Sequence, residues 1–391
     1  MNRNAVTLAV ALCLGLTAQQ GRAAADAPEL VYIGTHGAPP QEAQDQSAPQ
    51  GIYAAQLDTA TGRLTSLGLQ VPLARATWLL APPGRRTLYA VTDGGGMDVQ
   101  SNILSFTIEP TSGHLSQLNK AASGGRDATH LAFDQGSQSL FVANHGSGDV
   151  TALPVKPDGS LGDVVSDQKQ YGTGPHRRQS MPEPHGVAVD PSHSYLLATD
   201  FGADRIFIYH FNGSSRALSP AEPPYVATPA GSGPRHILFD PRGKFVYVNS
   251  ELSAQVFVYR WDEKNGQLKL VQTVSTYPAE YAGQDKSSAE IALSHDARHL
   301  YVSLRGDQDS IVVYAISARD GTLEEIQRTS VLGKTPWAFG IDPSGHWLLV
   351  TNEASSSVNV LSVDPKTGKL SPTQQSLSIP KPVTVAFHAE R

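Results

Sequence analysis

Eleven polar residues, far apart in the chain, are the ones equipped for chemistry: Asn144, His145, Arg177, Arg178, His185, Asp200, Arg235, His236, Glu251, Glu290 and Arg305. The arginine fork can hold a carboxylate or phosphate through two hydrogen bonds, or stabilise a developing oxyanion. A histidine or glutamate beside it can activate water or move a proton. Together these types suit a small anionic or oxygen-rich substrate, and hydrolytic opening of a lactone needs these parts and no cofactor.

Each residue also has a plainer explanation. Arg235 suits a salt bridge between neighbouring repeats, and His185, set between Pro184 and Gly186, suits a strand cap held by a backbone hydrogen bond. Glu251 fits a solvated turn carboxylate or a partner for an arginine, Glu290 a strand-end charge, and Arg305 an ion pair within Arg305-Gly306-Asp307. Arg177 and Arg178 fit a solvated loop, with phosphate reading as the alternative, and Asp200 with Asp204 fits a brace around the Gly202 turn. Competing chemistries lack their motifs: there is no G-x-S-x-G elbow, H-E-x-x-H, Walker A sequence or EF-hand loop. No metal and no cofactor is expected; scattered His, Asp and Glu are the types from which a metal site across repeats would have to be built.

What positions these residues is a repeat. The stretch GPRHILFDPRGKFVYVNSELSAQVFVY, from Gly233 to Tyr259, reads as three short antiparallel strands separated by Asp240-Pro241-Arg242-Gly243 and Glu251-Leu252-Ser253, and a fourth, Leu268 to Val274, follows Lys264-Asn265-Gly266. Second strands recur at Leu30-Val31-Tyr32, Leu88-Tyr89-Ala90, Leu140-Phe141-Val142, Leu196-Leu197-Ala198, Val246-Tyr247-Val248, Leu300-Tyr301-Val302 and Leu348-Leu349-Val350, in steps of 58, 52, 56, 50, 54 and 48 residues. Four strands per period of this length predict an all-β propeller of seven blades. The first unit lacks an inner strand, and an unpaired one occurs at Val383 to Phe387. The C-terminal strand is therefore expected to join the N-terminal blade and close the ring, removing an exposed edge. Because first and second strands run antiparallel, residues just before first strands and just after second strands must crowd one mouth of the central channel. His185, Arg235, His236 and Glu290 belong to the first group, and Asn144, His145, Asp200, Glu251, Arg305, Asn352 and Glu353 to the second.

Residues 1–25 read as a secretory signal: Arg3, the apolar run Ala5 to Thr17, and Ala23-Ala24-Ala25 before Asp26. That run is too short to span a bilayer, so the remainder, residues 26–391, is expected to be one propeller domain without a membrane segment, periplasmic or secreted, and monomeric. The single cysteine, Cys13, lies in the signal, which leaves the mature chain without disulfide or thiolate. Removing Arg3 and Arg22 moves the net charge from −6 to −8, a poor balance for gripping nucleic acid or an anionic membrane. Residues 38–50 form a polar, Pro- and Gln-rich loop, and 168–183 a second long loop carrying His176, Arg177 and Arg178 to the mouth.

Four segments carry a family resemblance: PHGVAVDP with DFGADRIFIY, GSGPRHILFDPRGKFVYVNSEL, AEIALSHDARHLYVSLRGDQDSI and GIDPSGHWLLVTNEASSSV. With them the chain resembles the seven-bladed propeller lactonases, which include cycloisomerase-type 6-phosphogluconolactonases and carboxymuconate lactonising enzymes. The resemblance implies that His185, Arg235, Glu251 and Arg305 are the catalytic set, with His185 or Glu251 directing water and the arginines holding negative charge. It further implies a small lactone substrate. Two departures bear on which one: Pro336-Trp337 stands where the family reads Pro-Arg, and the third blade has Ala128-Thr129-His130 and Asn144-His145 where Pro and an Asn-Tyr pair are usual. Losing an arginine and gaining a tryptophan implies a less anionic substrate, and export points the same way, to an unphosphorylated sugar lactone. A muconate-type reaction and a non-catalytic exported disc that binds protein or polysaccharide are the alternatives.

Overall fold

In the computed structural model, which describes residues 28–36, 50–92, 99–283 and 285–389, all regular structure is strand. The signal at 1–25 lies outside the described residues, as does nearly all of the polar loop read at 38–50. Among the described residues, twenty-eight strands form seven four-stranded antiparallel sheets. Six sheets are consecutive stretches of chain, and the seventh has Pro382–His388 paired to Glu29–Thr35, followed by Gly51–Asp58 and Arg63–Pro72. The expected closure is thus present. It is counted below as blade 1.

The inner strands of blades 2 to 7 are Ala76–Leu80, Ala128–Asp134, Pro184–Val189, Pro234–Phe239, Lys286–Leu293 and Pro336–Ile341, and each pairs with the second strand that follows it. Second strands are buried on both faces because each is flanked by its own sheet and by the neighbouring blades. That explains their unbroken apolar character. The core is accordingly divided into seven clusters, one per blade interface: Tyr89 meets Leu140 between blades 2 and 3, Tyr247 meets Leu300 between blades 5 and 6, and Leu349 meets Val31 at the closing seam.

A buried tyrosine in four second strands ties each blade to the next. Tyr32, Tyr89, Tyr247 and Tyr301 donate to the carbonyls of Gly113, Gly159, Gly321 and Gly368, each in the turn between third and fourth strands of the following blade. Those glycines have positive φ, so the turn can present its carbonyl inward. The bond also corrects the repeat register. Tyr32, not Val31, is the equivalent of Tyr89, so the first blade is shifted by one residue from the spacing read in the sequence.

Candidate active site

Every inner strand breaks its ladder at the same place. The register slips between Ala76 and Trp78, Ala128 and His130, Pro184 and Gly186, Pro234 and Ile237, Ser288 and Ile291, Pro336 and Ala338, and opposite Gly34/Thr35 in blade 1. Such a bulge leaves an unpaired residue and re-aims its side chain. Six of the residues released in this way, Thr77, Thr129, His185, Arg235, Trp337 and Val383, line one pocket. Next in the chain come Trp78, His236 and Glu290, and the wall is completed by His36, His145 and Glu251, just past second strands, and by Arg305, near the end of the second strand His299–Gly306. The cavity measures about 220 Å³.

Glu251 is the electrostatic centre. Its Oε1 accepts from Arg178 Nη1 at 2.9 Å, and its Oε2 accepts from Arg235 Nε at 3.1 Å and is ion-paired with Arg305 Nη2 at 3.0 Å. Burial alone would raise this carboxyl, but Arg305, Arg235 and Arg178 overcome burial and hold it at about 2. Glu251 is therefore a permanent anion with little basicity. Arg235, itself buried, donates from Nη1 to the Ala289 carbonyl at 2.7 Å; burial weakens its hold on the proton, to about 10, with Glu251 opposing. Arg305 also donates to Ser287 Oγ, and its guanidinium carbon lies over the Trp337 ring, 4.7 Å from the centroid. Arg178 covers the Phe201 ring at 4.7 Å.

The histidines are kept neutral. Burial, then the charge of Arg235, pushes both His185 and His236 well below the usual imidazole range. His185 leaves Nδ1 without a hydrogen-bond partner among the described residues. Beneath it, His236 Nδ1 and Glu290 Oε1 lie 2.8 Å apart in a buried pair, and burial raises Glu290 to about 7 against the pull of Arg235. Trp78 and His130 pack on His236 at ring separations of 5.2 and 4.9 Å.

Eight of the eleven sequence candidates meet in this pocket, and three do not. Arg177 is exposed on its loop, one residue from Arg178, which turns inward to Glu251. Asn144 and Asp200 are the final residues of second strands and point into the sheet frame: Asn144 donates to Thr151 Oγ1, while Asp200 Oδ1 accepts from the Glu183 and Ala203 amides. A strand's side chains alternate faces, so the residue after Asn144, His145, is the one that lines the pocket, while Phe201 after Asp200 packs beneath Arg178. The loop read at 168–183 is shorter than expected, because Gln168 and Lys169 pair within Ser166–Lys169. Sequence reasoning missed His36, Arg75, Thr77, Trp78 and Asp127 as site residues; the signal that could have found His36, Thr77 and Trp78 is their repeat-equivalence to residues already singled out in blades 4 and 5. Among the described residues, no three His, Cys, Asp or Glu side chains are grouped to hold a metal ion.

A cleft of fixed guanidinium groups with a neutral imidazole is built to stabilise an oxyanion formed by attack of water on an ester carbonyl. The model of a seven-bladed β-propeller lactonase family matches residues 31–387. A 6-phosphogluconolactonase of Bacillus subtilis (strain 168) is 32% identical over 356 residues, spanning 91% of this chain and 97% of its own. Another, from Formosa agariphila, is 29% identical and spans 86% of this chain and 94% of its own. The structure of a periplasmic gluconolactonase from Pseudomonas aeruginosa superposes with a TM-score of 0.85 at 33% identity, over 93% of this chain and all of that one. Fold, pocket and relatives agree: the chain belongs to the seven-bladed β-propeller lactonases and is a lactone hydrolase.

Proposed function

We propose that the protein hydrolyses glucono-1,5-lactone or a closely related unphosphorylated aldonolactone in the periplasm, with His185 as the base. One observation carries the choice of base. Glu251 is saturated by three arginines, whereas His185 is neutral and keeps a nitrogen unengaged. His185 takes a proton from water as the water oxygen attacks the lactone carbonyl, Arg235 and Arg305 hold the oxyanion, and collapse expels the ring oxygen, which receives the proton. Trp337 supports the unphosphorylated substrate, since its ring, tilted 5.7 Å from His36, offers an apolar wall where an arginine would offer a charge. The secretory signal read at 1–25 and the periplasmic relative support the location.

The test is the hydrolysis rate of glucono-1,5-lactone and of its 6-phosphate by purified protein with chelator present, corrected for spontaneous opening. Chelator-resistant turnover favouring the unphosphorylated lactone is expected. Preference for the phosphate ester would overturn the substrate, and wild-type turnover by His185→Gln would overturn the base.

A further inference from the structure

A second line of ionisable groups leads from His185 out of the pocket. His145 and His185 pack edge to face with ring centroids 5.4 Å apart, and His145 Nε2 faces Glu183 Oε1 at 3.9 Å. The two histidines present Nδ1 atoms that are buried and without hydrogen-bond partners among the described residues, as is Glu183 Oε2. Glu183 and His185 flank Pro184 at the head of one inner strand, and His145 reaches them from the end of the second strand of blade 3. At the other side of His185, His236 stands 5.3 Å away, but that branch ends at buried Glu290. The Glu183 side chain keeps 16% of its surface exposed and that of His145 21%, so this branch alone of the two opens to solvent.

Lactone opening creates a proton that has to leave. Water oxygen bonds to the carbonyl carbon, the carbon–ring oxygen bond breaks, one water proton ends on the ring oxygen, and the other ionises from the new carboxylic acid. His185 is a poor place for that last proton to stay, because burial and then the charge of Arg235 disfavour an imidazolium there. We propose that His145 and Glu183 are positioning residues that carry this proton from His185 to solvent. The surroundings suit the role. Burial holds His145 below the usual imidazole range, Asp127 and Glu251 favour its charged form while Arg178 and Arg235 oppose it, and Glu183 is faced by Asp200, Arg178, Asp127 and Glu251. Burial and then Asp200 raise Glu183 to about 7, where a carboxyl both binds and releases protons near neutrality.

The inference rests on lactone hydrolysis, and two measurements keep the two ideas separable. In the first, turnover of glucono-1,5-lactone by wild type and Glu183→Gln is followed at rising imidazole buffer concentration and constant pH and ionic strength, subtracting the blank at each concentration. Wild type is expected to be indifferent to buffer, while E183Q loses about tenfold in dilute buffer and recovers as imidazole substitutes for the missing carboxyl. In the second, the histidine ring resonances of both proteins are titrated by NMR, which needs no turnover; loss of the neighbouring carboxylate is expected to lower the His145 midpoint. Wild-type activity in E183Q, a loss indifferent to buffer, or an unmoved His145 midpoint each overturns the relay. A wild type that opens no lactone overturns the lactonase reading, and the NMR titration still decides the coupling.

Discussion

Glu251 shows how a buried charge can organise a site without reacting. Its side chain is 9% exposed, and replacing it by Gln leaves three guanidinium groups facing one another. Glu251→Gln is expected to lower stability by about 3 kcal/mol and turnover by on the order of 10²-fold, read from urea unfolding and initial rates. The pH dependence has a definite sign. Glu251 is depressed from 4.5 to about 2, so its contribution is complete above about 4.5 and disappears as pH falls through 2; E251Q should lack that acid-side decline. Glu290 behaves oppositely. Raised to about 7, it contributes below pH 4.5 and that contribution is lost as pH rises through 7, worth on the order of 3 kcal/mol. Glu183 and Asp200 are also raised to about 7 and act in the same sense. His130, His185 and His236, buried and held well below the usual imidazole range, act in the opposite sense. The test is therefore differential: relative to wild type, the urea midpoint of Glu290→Gln is expected to fall less, or rise more, between pH 5 and pH 8.

At the scale of the strand, the seven bulges decide which residues see substrate. Blade 4 depends on Gly186, because a Cβ there would lie 2.6 Å from the Arg235 carbonyl oxygen and 2.9 Å from Thr199 Oγ1. Gly186→Ala is expected to push blades 4 and 5 apart just where His185 and Arg235 meet, costing about 2 kcal/mol in stability and a larger share of kcat than of KM. Rates across a lactone concentration series, beside thermal unfolding, check this. The bulges also explain what was legible in the sequence. Strand polarity brought His185, Arg235, His236, Glu251, Glu290 and Arg305 to one mouth, since polarity follows from the meander alone. Face choice was not legible at strand ends, where one residue separates Asn144 from His145 and Asp200 from Phe201. Thr77 and Trp78 went unnoticed as site residues because a bulge inside an otherwise apolar run carries no mark of its own in a single sequence.

For the molecule as a whole, the ring is held by a strand that the sequence advertised by its absence from one end and its surplus at the other. Removing residues 382–391 would strip Val385 and Phe387 from the seam between blades 7 and 1, take Ala386 from the next interface, and bare Glu29–Thr35 as an edge. That truncation is expected to yield aggregated or partly unfolded protein, seen by size-exclusion chromatography and circular dichroism, whereas Lys381→Ala at the exposed approach to the strand should fold normally. The same seam sets a schedule during synthesis. Twenty-seven of the strands leave the ribosome before Pro382–His388, yet Val383 on that last strand is part of the pocket wall. A nascent chain can thus build six blades and still possess no finished pocket, so a prematurely released product would be inert, not a poorly discriminating hydrolase.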